Sequence, residues 1–153
     1  MVRQLIEKIG SMDHLRPDDS IMIKPNLVAS RKDWGGIDTD PRAIEALVKC
    51  PKERGVYRIT VGDGSGMGNS ATKAFEYCGY RDLAFRYGLR LVDLEKDEFI
   101  KKPVRIEGPF KNLEIARTVL ECDFFINVPV TKAHNKTLIT CSLVPEDNRK
   151  QNH

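Results

Sequence analysis

The stretch Ile59-Thr60-Val61-Gly62-Asp63-Gly64-Ser65-Gly66-Met67-Gly68-Asn69-Ser70 decides how the chain is read. A β-branched run stops at a loop with glycine at every second position, and helical spacing takes over at Ala71. Glycine permits φ > 0 and lets a ligand approach the backbone without meeting a Cβ. A strand-to-helix junction of this kind also points free N–H groups outward, where an anion can sit. Neither well-known phosphate fingerprint is present. No reading from Gly62 to Ser70 gives G-x-G-x-x-G, and the glycine-lysine-serine ending of a P-loop is lacking. The loop marks a site without naming its ligand, and Gly62, Gly64, Ser65 and Gly66 are its candidate binding residues.

Working outward, the strand before the loop, Tyr57 to Val61, has three counterparts. Ile21-Met22-Ile23 is a continuous apolar run, as in a strand covered on both faces. It ends in Lys24-Pro25-Asn26, where proline cannot donate to a ladder. Leu89 to Leu94 is a third strand, and Phe124-Phe125-Ile126-Asn127-Val128 a fourth, closed by Pro129. Helical stripes separate them. Thr39-Asp40-Pro41 starts a helix: Thr39 or Asp40 caps it and Pro41 takes its first position. Ala43, Ile44, Leu47 and Val48 supply its buried face, Pro51 stops or kinks it, and Gly55 is the exit. Ala71, Ala74, Phe75 and Cys78 form a second stripe, broken by Gly79. A short helix through Leu83, Ala84 and Tyr87 follows, closed by Gly88.

The remaining segments carry weaker patterns. Leu5, Ile6 and Ile9 give a short N-terminal helix, and Ala29 to Asp40 reads as a mobile loop. Glu95 to Lys102 is charged and exposed, and Val104-Arg105-Ile106 alternates like an antiparallel edge strand. Ile115, Ala116, Val119 and Leu120 space like a helix, and Leu138 to Leu143 is a last strand. Residues 1–144 then form a single domain, and 145–153 a polar, disordered tail. The alternation of apolar strands and helices predicts an α/β fold: three layers, with a mostly parallel sheet and helices on both faces.

Composition narrows the function classes. At 153 residues, 41% apolar and 31% charged, the chain suits one soluble globular domain. A net charge of +3, from 25 basic and 22 acidic side chains scattered along the chain, gives no footprint for nucleic acid. No stretch approaches the roughly 20 apolar residues of a membrane span, and the N-terminus does not read as a signal peptide. A cytoplasmic protein is the expectation. Cys50, Cys78, Cys122 and Cys141 form no C-x-x-C pair, so no metal site follows from spacing.

In open α/β sheets ligands bind outside the carboxyl ends of the strands. Three such ends carry unusual polar residues: Lys24 and Asn26; Asp63 and Ser65 among glycines; and Asn127 with Lys132 and His134. Two lysines, backbone amides and a carboxylate suit a small anionic ligand. Asp63, Lys132 and His134 are the candidate catalytic residues, His134 as a proton carrier near neutral pH. Each has a structural counterpart reading. Asp63 is equally suited to hydrogen-bonding its own loop, and Lys132 and His134 to a solvated polar loop. Lys24 is the expected basic neighbour of Asp63. A homo-oligomer is a further partner to consider, and no cofactor is identified by the motifs.

With these motifs in place, the chain resembles the family called domain of unknown function 362. Its members show a similar succession of Lys-Pro-Asn, Thr-Asp-Pro, Gly-Asp-Gly-Ser-Gly and Asn-Val-Pro followed by Lys-x-His. Here these are Lys24-Pro25-Asn26, Thr39-Asp40-Pro41, Gly62 to Gly66, and Asn127-Val128-Pro129 with Lys132-Ala133-His134. Ala116 to Asp123 also looks like the family's, so the likeness runs roughly from residue 20 to 143. The family often occurs with segments binding [4Fe–4S] clusters, which implies redox chemistry or electron transfer. No such cysteine-rich segment occurs in this sequence, so the cluster is not carried over. Cys50-Pro51 interrupts a helix that is usually smooth, and the sequence stops soon after Leu143 where members generally continue. The strand ends at Lys24, Asp63 and Asn127 read as the site of an enzyme-type domain for a small anionic metabolite or nucleotide-like cofactor, with redox chemistry as what the resemblance implies. The alternatives are a non-catalytic interaction module that needs a partner chain, and an electron-transfer accessory.

Overall fold

Four strands with apolar centres line up in parallel, and their order explains where the rest of the chain packs. The structure, a computed structural model, describes residues 4, 12–28, 36–64, 70–104, 110–134 and 138–140. In chain order the elements are β1 (Ser20–Pro25), α1 (Pro41–Glu53), β2 (Arg58–Asp63), α2 (Ala71–Tyr77), α3 (Tyr80–Tyr87) and β3 (Arg90–Asp93). A 3-10 turn (Leu94–Lys96) leads to β4 (Phe99–Pro103), β5 (Asn112–Ala116), the single-turn α4 (Arg117–Leu120) and β6 (Phe124–Val128). Two short strands follow, β7 (Lys132–His134) and β8 (Leu138–Thr140).

The main sheet has the order β3-β2-β1-β6, with every pair parallel. The chain moves one way from β1 to β3 and then returns past β1 to β6. Right-handed crossovers in opposite directions place their connections on opposite faces. Accordingly α1, α2 and α3 pack on one face, where Ile21, Ile23, Ile59 and Val61 meet Ile44, Val48, Ala74, Phe75 and Leu83. The other face is thinner: Met22 packs with Leu94 and Ala116, and with Val119 from α4 and Cys122. This is the three-layer α/β arrangement that the alternation of strands and helices predicts.

Local chemistry sets the element ends. Asp40 is the α1 cap, accepting the Arg42 N–H at 2.8 Å, with Pro41 at the first helical position. Pro51 does not stop α1; it falls in the final turn, and the helix runs two residues further to Glu53. Gly79 and Gly88, both at φ > 0, separate α2 from α3 and close α3, a conformation that side chains with a Cβ resist. Gly62 answers to packing instead. A Cβ there would lie 2.6 Å from Met22 Cε and 3.0 Å from the Val92 carbonyl oxygen.

The segment before α4 departs from the sequence reading. Phe99–Pro103 pairs antiparallel with Asn112–Ala116, Ile100 opposite Ile115, where charged coil and a helix are predicted. Ile115 and Ala116 therefore belong to a strand, and the Arg117 N–H donates to the Glu98 carbonyl at 2.7 Å to start the single turn that follows. The N-terminal stripe at residues 5–9, the alternating residues 105 and 106, and the tail from 141 onward lie outside the described residues. Of the predicted loop from Ala29 to Asp40, residues 36–40 are described and are held by hydrogen bonds set out below.

Asp123 ties the start of β6 to the start of β1. Its carboxylate accepts the Ser20 hydroxyl at 2.7 Å and the Ser20 N–H at 2.8 Å, and its own N–H donates back to the Ser20 carbonyl at 3.0 Å. The Ser20 hydroxyl, then its N–H, hold the Asp123 pKa below the ordinary value. A lowered folded-state pKa means that the native state binds fewer protons than the unfolded chain. The stabilisation is then complete above the ordinary aspartate pKa of about 3.9 and lost as pH falls through the lower folded value. Urea midpoints for Asp123→Asn should lie below those of the wild type near neutrality, and the two should converge in acid.

Candidate functional site

The carboxyl ends of β1, β2 and β6 bring several polar side chains together, and the central pair is Lys24 with Asp63. Lys24 Nζ lies 2.8 Å from Asp63 Oδ1, with side-chain exposures of 14% and 3%. The other carboxylate oxygen, Oδ2, accepts the Leu27 N–H at 2.6 Å. A carboxylate so deeply buried is tolerable only when paired and hydrogen-bonded, and Asp63 has both. Lys24 stands in register with Asn127 on β6. Because register partners in a parallel sheet share a face, Asn127 is the exposed polar neighbour of Lys24.

Lys24 and Asn127 straddle the place where strand order reverses, since β1 leads on to β2 at one side while β6 arrives at the other. In open α/β sheets that switch point opens the crevice used by ligands. Asn26 works on its rim. Its side-chain N–H donates to the Ile37 carbonyl at 2.9 Å, and its backbone N–H donates to Thr39 Oγ1 at 2.8 Å. Thr39 donates in turn from Oγ1 to the Val128 carbonyl at 2.7 Å. One buried hydroxyl thus bridges the ends of β1 and β6. Tyr80 adds a hydrogen bond to the Thr39 carbonyl at 2.8 Å, and burial pushes its phenol pKa up.

Asp38 completes this strap by accepting the Val28 N–H at 2.6 Å, with Cys78 Sγ 3.6 Å from its other oxygen. Burial first, and then the Asp38 carboxylate, push the Cys78 thiol up to about 11. At neutral pH the thiol is protonated.

Of the residues singled out in the sequence, Lys24, Asn26, Gly62, Asp63, Gly64 and Asn127 gather at these strand ends. Gly62 and Gly64 are both buried. Ser65 and Gly66 lie outside the described residues. Lys132 and His134 fall on β7, whose backbone pairs with β8, Lys132 opposite Thr140 and His134 opposite Leu138. Sequence reasoning missed Thr39 and Asp38 as parts of the site. The Thr39-Asp40-Pro41 pattern points to capping, and the partner of Thr39 lies 89 residues away with no local signature. Cys50, Cys78 and Cys122 sit on different segments. Among the described residues no group of three or more His, Cys, Asp or Glu side chains is close enough to hold a metal ion. No helix of the described residues is long and apolar enough to cross a membrane.

No solved structure is detectably similar to the chain. A thylakoid-associated protein of Synechocystis sp. is 25% identical over 140 residues, which cover 91% of this chain and 42% of that relative. The chain thus spans less than half the length of the curated relative it matches. Residues 21–144, which take in all four strands of the sheet and the Lys24, Asp63 and Asn127 positions, match a family described only as a domain of unknown function, and the chain belongs to that family, DUF362.

Proposed function

We propose that the chain is an enzyme-type α/β domain that binds a small anionic metabolite or a nucleotide-like cofactor at the carboxyl ends of β1, β2 and β6. The observation that carries this reading is the Lys24–Asp63 ion pair, set beside Asn127 at the reversal of strand order. Burying a charged pair confers little net stability compared with an apolar replacement. Charge buried in a strand-end crevice is therefore a pointer to a site.

In this reading the Lys24 ammonium supplies the positive charge, Asn127 adds an amide, and Gly62 and Gly64 supply the backbone wall. Asp63 fixes the ammonium in place. Lys132 and His134, on the strand that follows β6, are the further catalytic candidates, with His134 as the proton carrier. The redox chemistry implied by the family resemblance fits a bound nucleotide-like cofactor, because such a cofactor carries the reaction and the protein supplies binding and electrostatics.

Thermal unfolding with and without millimolar AMP tests the assignment. AMP should raise the wild-type midpoint, and Lys24→Gln should abolish the rise. An equal rise in Lys24→Gln and Asp63→Asn refutes it.

A second reading, an interaction module completed by another copy of the chain, has its own observation. β6 is paired on one side alone among the described residues, and Phe125 on it is 46% exposed. Long apolar edge strands invite pairing. Light scattering that finds a dimer dispersed by Phe125→Lys favours this reading, and a clean monomer counts against it.

A further inference from the structure

At the other end of the sheet, the thinly covered face carries charge where a covered parallel sheet carries aliphatic side chains. Arg58 and Thr60 are alternate residues of β2 and so share a face, and Thr60 stands opposite Arg90 on β3. Thr60 is also in register with Met22, which identifies the face as the one that α4 crosses. Arg58, Thr60 and Arg90 line a groove of about 400 Å³ whose far wall includes Arg117, Thr118 and Glu121.

Arginines on a sheet often serve only to cover it with their apolar stems. Here the surrounding acids argue for more, because each already has its own donors. Asp97 accepts the Glu98 and Thr118 N–H groups, both at 2.9 Å. Glu121 takes Arg117 at 2.8 Å, and Asp123 takes Ser20. Arg58 gives one N–H to the Asp18 carbonyl at 3.0 Å and keeps the rest of its fork. Arg90 lies near Asp97, where its charge helps to lower the carboxylate pKa, but makes no close ion pair with it. Two guanidinium groups with surplus donors therefore face a groove of ligand size, with a threonine between them.

We infer that this groove is a second anion site, taking a small ligand with two phosphate or carboxylate groups, one for each of Arg58 and Arg90. A planar guanidinium fork matches either group with two parallel hydrogen bonds. The site lies at the amino ends of the strands and does not depend on the reading of the carboxyl ends.

Isothermal titration of the whole chain with inorganic pyrophosphate, and separately with citrate, distinguishes the two chemistries. At least one should bind the wild type. Arg90→Gln and Arg58→Gln should each weaken that binding about tenfold or more through lost charge-assisted hydrogen bonds. Arg81→Gln, which removes the same charge from the exposed surface of α3, should leave it unchanged. Absence of binding by the wild type at millimolar concentrations of both probes overturns the inference. So does unaltered binding by both groove variants, or a loss in Arg81→Gln equal to theirs.

Discussion

Asp63→Ala should destabilise the protein by about 3 kcal/mol or more, the cost of leaving one member of a buried pair without its partner. The loss has two parts. Lys24, 14% exposed, would lose the carboxylate 2.8 Å from its ammonium, and the Leu27 N–H would lose its acceptor. Lys24→Met should cost a similar amount, because it leaves the more deeply buried Asp63 carboxylate without its ammonium and with the Leu27 N–H still bound. The double variant Lys24→Met/Asp63→Ala should be more stable than the sum of the single losses predicts, since residues in contact couple by about 0.5–3 kcal/mol. Urea unfolding followed by circular dichroism measures all three. A loss below about 1 kcal/mol for Asp63→Ala would place the pair among surface ion pairs.

Thr39→Val should be the next most costly change in this region, at about 2–4 kcal/mol. It keeps the volume of the side chain but leaves the Asn26 N–H and the Val128 carbonyl without their shared hydroxyl, at about 1–3 kcal/mol for each unsatisfied buried group. Thr39→Ser retains both bonds and should stay within about 1 kcal/mol of the wild type. The pair of variants, read by the same urea transition, separates the hydroxyl bridge from simple packing. If Thr39 served only as a helix-entry residue, valine and serine would behave alike.

The core sheet is legible in the sequence because its strands are buried, and burial writes apolar runs. Ile21-Met22-Ile23 and Phe124-Phe125-Ile126 fall on neighbouring strands for that reason. Pro41, Gly79 and Gly88 mark helix ends through φ alone and need no tertiary partner. The β4–β5 ribbon is not legible. Lys101, Lys102, Leu113 and Glu114 are all exposed, so no apolar alternation marks either strand, and Ile115-Ala116 mimics a helical stripe.

The candidate site divides in the same way. Lys24, Asp63 and Asn127 are legible because each is a polar residue ending an apolar strand, and such ends converge in a parallel sheet. Their pairing is fixed by strand order, which places β1 between β2 and β6. The strap through Asn26, Asp38 and Thr39 depends on contacts between segments remote in sequence, and its residues look locally like ordinary turn and cap chemistry. Arg58 and Arg90 look like solvated strand starts until the register sets Arg90 opposite Thr60.

The most direct test of the carboxyl-end site is an amide-resolved NMR titration with AMP. The account predicts shifts concentrated at Lys24, Asn26 to Val28, Gly62 to Gly64 and Asn127 to Val128, and their disappearance in Lys24→Gln. Shifts that leave these amides untouched, or that persist unchanged in Lys24→Gln, would contradict it.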